Sequence, residues 1–180
     1  MNTEEFSDEL RDSINHTITA HSKHPKTSND AIRFWDKTTP YAIHPIWCAM
    51  TLLTETTLPE NIRYNGYQAL LWHDTLEDTT LSLPIDIKPE VKLLVEEMTF
   101  ESFEQEMADI WGKSDTAKLL KLYDKVSNLL DGVWMKEQKL KQMKEHTRQL
   151  TGFVENVYGE LNIVKFSKAI CEATISHEEL

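Results

Sequence analysis

Apolar residues recur at helical spacing from one end of the chain to the other. Phe6, Leu10, Ile14 and Ile18 predict a first helix from about Thr3 to Ser22. A polar stretch from Lys23 to Asn29 follows, then a short helical piece around Ala31–Trp35 and a loop from Asp36 to Pro40. Pro45 suits the first position of the next helix, with His44 at its entrance. The same residues also fit a helix opened by Pro40 and kinked at Pro45. Thr57-Leu58-Pro59-Glu60 reads as another start, for a helix that runs to about Asp78 and carries the apolar segment Ala69–Trp72. Pro84 breaks the connection, and Pro89 to Met98 forms a further helix. Asp115 is a good N-cap for a helix over Thr116–Leu130, closed by Asp131-Gly132. Residues from Lys136 to Leu180 read as two or three helices. Their Lys/Glu-rich start is a solvated face, followed by the stripe Leu150, Phe153, Val157 and Leu161.

Composition supports an all-α reading. The 180 residues include 5 glycines and 6 prolines, too few breakers for a sheet-and-turn fold. No internal repeat, low-complexity tract or linker divides the chain, so residues 1–180 are expected to form one domain. The net charge of −11 argues against a general nucleic-acid binder. It leaves room for a small phosphorylated substrate, because a bound divalent ion can dominate the local field. No apolar run approaches the ~18 residues of a membrane span. The acidic start MNTEEFSDELRD is no signal peptide. Cys48 and Cys171 lie in apolar segments without zinc spacing, as buried free thiols of a cytoplasmic protein would. His16, His21, His24, His146 and His177 lie outside every motif and read as surface residues. The five tryptophans read as core.

The sharpest feature is Leu70-Leu71-Trp72-His73-Asp74-Thr75-Leu76-Glu77-Asp78-Thr79, where an apolar segment ends in ionisable side chains. On a helix wheel His73, Glu77, Asp74 and Asp78 fall at roughly 0°, 40°, 100° and 140°, all on one side. Carboxylates this close repel one another unless a cation intervenes. Histidine with carboxylates is a donor set for Mn²⁺, Fe or Zn²⁺. By itself His73-Asp74 would be no more than a helix-end salt bridge, and one helix cannot close a metal site. His44 precedes by enough chain to form the antiparallel neighbour. Asp124 lies on a later helix, with Lys121, Lys125 and Asn128 within a strip of roughly 100°. That strip offers a ligand, an amide and two cations, which suits a metal beside a phosphate group. Lys125 is the cation expected to meet the phosphate. Ser127 has no partner that would make it a nucleophile.

The ordered pattern H…HD…D resembles that of the HD superfamily. Thr39-Pro40-Tyr41-Ala42-Ile43-His44-Pro45 resembles the "TPYxxHP" stretch of the RelA/SpoT-type alarmone hydrolases. Leu70–Thr79 is similar to their "ALLHDxxEDT" and Val91–Thr99 to their "VxxLVxxVT". Ala117–Leu129, AKLLKLYDKVSNL here, is similar to their "AKLVKLADKLxNL". The motifs keep family order over about residues 30–130.

This resemblance implies an HD-domain helical bundle that hydrolyses (p)ppGpp at the 3′-pyrophosphate. It implies a divalent ion, Mn²⁺ foremost, at His44, His73, Asp74 and Asp124. Glu77 and Asp78 match the acidic pair that handles the attacking water. Asn128 matches a nucleotide contact, and Arg33 stands where an arginine packs on the guanine base. The chain departs from the pattern at Phe34 and Trp35, where a second basic residue is usual, and at Trp72, which replaces a smaller apolar residue. The family's nucleotide-contacting tyrosine has no counterpart near Thr147–Tyr158. The length resembles a small stand-alone hydrolase. Two alternatives stand beside this reading: an HD phosphatase acting on NADPH or nucleoside monophosphates, and a non-catalytic nucleotide sensor.

Overall fold

The first amphipathic segment forms α1, Thr3–Lys23, and packs Phe6, Leu10 and Ile14 against the core. Four-residue spacing drifts by roughly 40° per step on a helix, and Ile18 has turned outward to 43% exposure. Thr17 replaces it at the interface, donating its hydroxyl to the Leu71 carbonyl at 2.9 Å. The computed structural model describes residues 3–173, which form an all-α bundle without strands. His177 lies outside the described residues.

The segment Ala31–Trp35 is not helical. A single 3₁₀ turn, Ser28–Asp30, precedes it, and Ile32 pairs with Pro40 across a tight loop. The Asp36 carboxylate explains the turn, accepting from the Thr38 and Thr39 backbone N–H groups at 2.9 and 2.8 Å. The next helix, α2, runs Ile43–Leu53 and opens ahead of Pro45. Pro45 therefore sits inside the first turn, where no backbone donor is needed, and causes no kink.

The helix expected to reach Asp78 is two helices: α3, Glu60–Trp72, and α4, Thr75–Asp78. Side chains reach both carbonyls that a continuing helix would use next. The His73 ring lies 2.7 Å from Leu70 O, and Thr17 takes Leu71 O. Asp74 adopts φ −88° and ψ −5°, the bridge conformation between the two helices.

Helix α5 spans Pro89–Met98, with its proline at the start as anticipated. Helix α6, Phe103–Asp109, is unheralded in the apolar pattern and begins at a Ser102 cap. Helix α7 spans Asp115–Leu130. Its cap is Ser114, one residue before the expected Asp115, and the Ser114 hydroxyl accepts from Ala117 N at 3.1 Å. A 3₁₀ turn, Gly132–Trp134, then leads to α8, Glu137–Tyr158, and α9, Asn162–Glu172.

The centre of the bundle is α7, buried without interruption from Ala117 to Ser127 and packed on α2, α3, α5, α8 and α9. Gly66 brings α3 close to two neighbours: a Cβ there would lie 2.6 Å from Leu52 Cδ2 and 3.0 Å from Leu120 Cδ2. Glu55, buried in the turn after α2, closes the other end. Its carboxylate accepts from Asn162 N at 3.1 Å and Ile163 N at 3.0 Å, capping α9, and from the Tyr123 hydroxyl at 3.3 Å.

Both cysteines are free and buried. Trp72 is core, whereas Trp111 and Trp134 are 39% and 43% exposed, contrary to the core expectation. Two histidines read as surface residues, His21 and His146, are buried: His21 packs on the Tyr41 ring, and His146 packs on Phe103 with its Nε2 3.1 Å from the buried Glu106 carboxylate. No described helix is long and apolar enough to cross a membrane.

Candidate metal centre

Three elements bring four side chains to one point. The α2 entrance supplies His44, the α3–α4 break supplies His73 and Asp74, and mid-α7 supplies Asp124. His44 Nε2 lies 3.2 Å from His73 Nε2, 3.2 Å from Asp74 Oδ2 and 3.4 Å from Asp124 Oδ1. His73 Nε2 lies 3.0 Å from Asp74 Oδ1 and 3.7 Å from Asp124 Oδ1. His44, His73 and Asp124 each offer a ligand atom within 4.8 Å of the others. Asp74 joins them through its contacts with both imidazoles. All four residues are buried.

The surroundings fix which atoms point inward. His44 Nδ1 lies 2.8 Å from Ser127 Oγ, and His73 Nδ1 lies 2.7 Å from Leu70 O. A carbonyl only accepts, so His73 Nδ1 carries the proton and Nε2 is the free donor atom in the neutral ring. The Tyr41 hydroxyl donates to Asp74 Oδ2 at 2.9 Å. Asn128 Nδ2 donates to Asp124 Oδ1 at 2.6 Å, and Lys121 Nζ lies 3.0 Å from Asp124 Oδ2.

The electrostatics call for a cation at this point. Burial disfavours the charged His73 ring, yet Asp74 and Asp124 reverse that and lift it to about 9. Burial likewise opposes ionisation of Asp74 and Asp124. His73 and His44 hold Asp74 low, and Lys121 and Lys125 hold Asp124 low. The donor set fits a divalent ion, with two imidazole nitrogens and two carboxylates.

A cavity of 810 Å³ opens beside the cluster and is lined in part by Asp74, Glu77, Asp78, Asp124, Lys125 and Asn128. Glu77 Oε1 accepts from Phe100 N at 2.7 Å, which pins that side chain to the wall. Burial raises the Glu77 carboxyl. Burial, then the Asp74, Asp30 and Glu77 charges, lift Asp78 to about 8. Both carboxyls are thus held above their ordinary values, and a cation beside them would pull both down.

Arg33 is not part of this cavity. Its guanidinium is buried, with Nε 3.1 Å from Asp131 Oδ2 and an N–H donated to Ser127 O at 2.9 Å. It lies over the Trp35 and Tyr41 rings, at 5.3 and 5.6 Å. Phe34 packs against Trp134 at 5.0 Å. Glu106, which no motif marked, is buried at the cavity wall against Lys121, Lys125 and His146. Its one legible signal is its place among the acids of the Glu101–Asp109 run, which gives no hint of burial.

No protein-family model and no curated protein matches the sequence. The fold, however, matches a solved structure described as a metazoan ortholog of SpoT that hydrolyses ppGpp and has a role in starvation responses. The TM-score is 0.66 at 22% identity, over 89% of this chain and 92% of that one. This chain shares that hydrolase's fold. The SpoT-like bundle spans nearly the whole of both chains, so the shared architecture is not confined to one local motif.

Proposed function

We propose that the protein is a metal-dependent phosphohydrolase acting on a small phosphorylated nucleotide, with the 3′-pyrophosphate of (p)ppGpp as its substrate. The observation that carries this reading is the convergence of His44, His73, Asp74 and Asp124 beside a cavity that also holds Glu77 and Asp78. The SpoT-like fold of a ppGpp hydrolase supports the choice of nucleotide.

A divalent ion at the four ligands, Mn²⁺ in this proposal, supplies Lewis acidity that screens charge developing on phosphorus. The chain's own residues do the rest. Asn128 and Lys121 hold Asp124, and Tyr41 holds Asp74, so these ligand carboxylates are oriented before substrate arrives. Glu77 Oε1 is anchored by Phe100 N, which leaves Oε2 to accept a proton from the attacking water. Asp78, one residue on and lining the same cavity, is the second acid assigned to orient that water. Lys125 and Asn128 line the cavity and are assigned to phosphate and nucleotide contact. Phosphoryl transfer depends mainly on positioning and electrostatics, so no covalent nucleophile is needed.

A second reading is favoured by Arg33. Its guanidinium is buried, bonded at its edge to Asp131 and the Ser127 carbonyl and lying over the Trp35 and Tyr41 rings, so stacking on guanine requires it to leave this setting. A nucleotide recognised without that arginine, such as NADPH or a nucleoside monophosphate, avoids this displacement. Both readings meet one test. Purified protein with Mn²⁺ is offered ppGpp, pppGpp, NADPH and common mono- and triphosphates. Pyrophosphate release from (p)ppGpp far above the other substrates supports the first reading, and selective turnover of another nucleotide supports the second. Absence of metal-dependent turnover on the whole panel leaves only a nucleotide-binding role.

A further inference from the structure

Glu106 is a buried acid to which the chemistry above gives no task. It is 3% exposed on α6, at the wall of the cavity. One oxygen, Oε2, accepts from Lys125 Nζ at 2.7 Å and lies 3.3 Å from Lys121 Nζ. The other, Oε1, lies 3.1 Å from His146 Nε2. The same two ammonium groups lie 3.2 and 3.0 Å from Asp124 Oδ2. Each lysine is thus shared between the outer oxygen of a metal ligand and Glu106.

Asp124, Glu106, Lys121 and Lys125 together carry no net charge. Without Glu106 the two lysines would keep only Asp124 as a directly bonded carboxylate, with Glu77 and Asp74 also acting on Lys121, and the buried wall would gain one unit of positive charge where electrostatic attraction is strong. An inorganic pyrophosphate set free beside that wall would be held by it. A carboxylate already bonded to both lysines weakens this hold without removing the lysines from Asp124.

We propose that Glu106 is a positioning residue that acts through Lys121 and Lys125 to limit how tightly the site retains a polyphosphate anion, so that pyrophosphate leaves after cleavage. This rests on the phosphohydrolase reading and adds to it the control of product release. The balance is electrostatic, and no bond is made or broken at Glu106.

The test is equilibrium dialysis of radiolabelled pyrophosphate, and separately of orthophosphate, against the full chain. It is run with one equivalent of Mn²⁺ and again without metal. Glu106→Gln keeps the side-chain shape and an acceptor oxygen but removes the charge. It should bind pyrophosphate about tenfold more tightly or better, with a smaller gain for orthophosphate. Glu106→Asp keeps the charge and should bind within about twofold of wild type. Damage to the fold would weaken binding, so tighter binding is a result that a merely structural role does not produce. Unchanged or weaker pyrophosphate binding by Glu106→Gln, with a native circular dichroism spectrum, overturns the proposal. Lys125→Gln keeps the question answerable should Glu106→Gln fail to fold. It should weaken pyrophosphate binding roughly tenfold, and unchanged binding would show that the anion does not meet this lysine. Failure of every nucleotide to turn over would sink the phosphohydrolase reading, while pyrophosphate binding would still report on Glu106.

Discussion

His44 Nε2 and His73 Nε2 face each other at 3.2 Å, while each ring's Nδ1 is held from behind by Ser127 or Leu70. Two imidazoles clamped with their outer nitrogens converging, and two carboxylates around them, form a candidate coordination site from residues up to 80 positions apart (44 to 124). The metal is therefore expected to depend on every member. Asp74→Ala should abolish binding of Mn²⁺ by elemental analysis, because it removes charge as well as a ligand. Equal metal in variant and wild type would exclude Asp74 from the centre.

Glu77→Gln separates catalysis from coordination. The amide keeps the size of the side chain and an oxygen for Phe100 N, but cannot serve as a base. Metal content should stay at the wild-type level and turnover should fall ~10²–10⁴-fold. A kcat near wild type would remove Glu77 from the mechanism.

Arg33→Ala is expected to act first on stability. It leaves Asp131 buried without its cation and strips the hydrogen bond from Ser127 O, behind the His44 ring. Breaking a buried pair by removing one partner costs ~3–5 kcal/mol. The melting temperature should therefore drop with the metal-binding stoichiometry of the folded protein intact. An unchanged melting temperature together with a raised KM for guanine nucleotides would instead favour a direct contact with the base.

Glu106 gives the acid limb of stability a specific origin. Burial would raise its carboxyl, but Lys125, Lys121 and His146 reverse this and hold it at about 2 against an ordinary 4.5. A depressed carboxyl stabilises the fold above its unfolded pKa, and that stabilisation is lost as pH falls through the folded one. The contribution is on the order of 3 kcal/mol, at roughly 1.4 kcal/mol per pKa unit. The gap in unfolding midpoint between wild type and Glu106→Gln should be widest above pH 4.5 and narrow towards pH 2. A gap that did not vary with pH would show that the charge is not what stabilises.

The all-α architecture was legible because apolar spacing is a local signal, and α5 was read to the residue from its opening proline. Motif order pointed to the side chains that converge at the cluster, since each stands in a local pattern of its own. What the sequence hid depended on partners far along the chain. The break between α3 and α4 arises from side chains reaching Leu70 O and Leu71 O, one of them Thr17 from another helix. The burial of Arg33 requires Asp131, and that of His146 requires Glu106, pairs that no periodicity connects. The Asp115 cap was misplaced by one residue because Ser114 and Asp115 are both good caps, and only the backbone direction decides between them.

The Glu55 cap on α9 has a consequence for the order in which the chain assembles. Its carboxylate joins the turn after α2 to backbone N–H groups 107 and 108 residues later. A contact that long-range is expensive to form early, so it belongs to the final docking step, after the transition state for folding. Glu55→Ala should then leave the refolding rate nearly unchanged and speed unfolding in stopped-flow measurements. The lifetime of the folded protein, more than its rate of birth, would depend on one side chain outside the candidate metal centre.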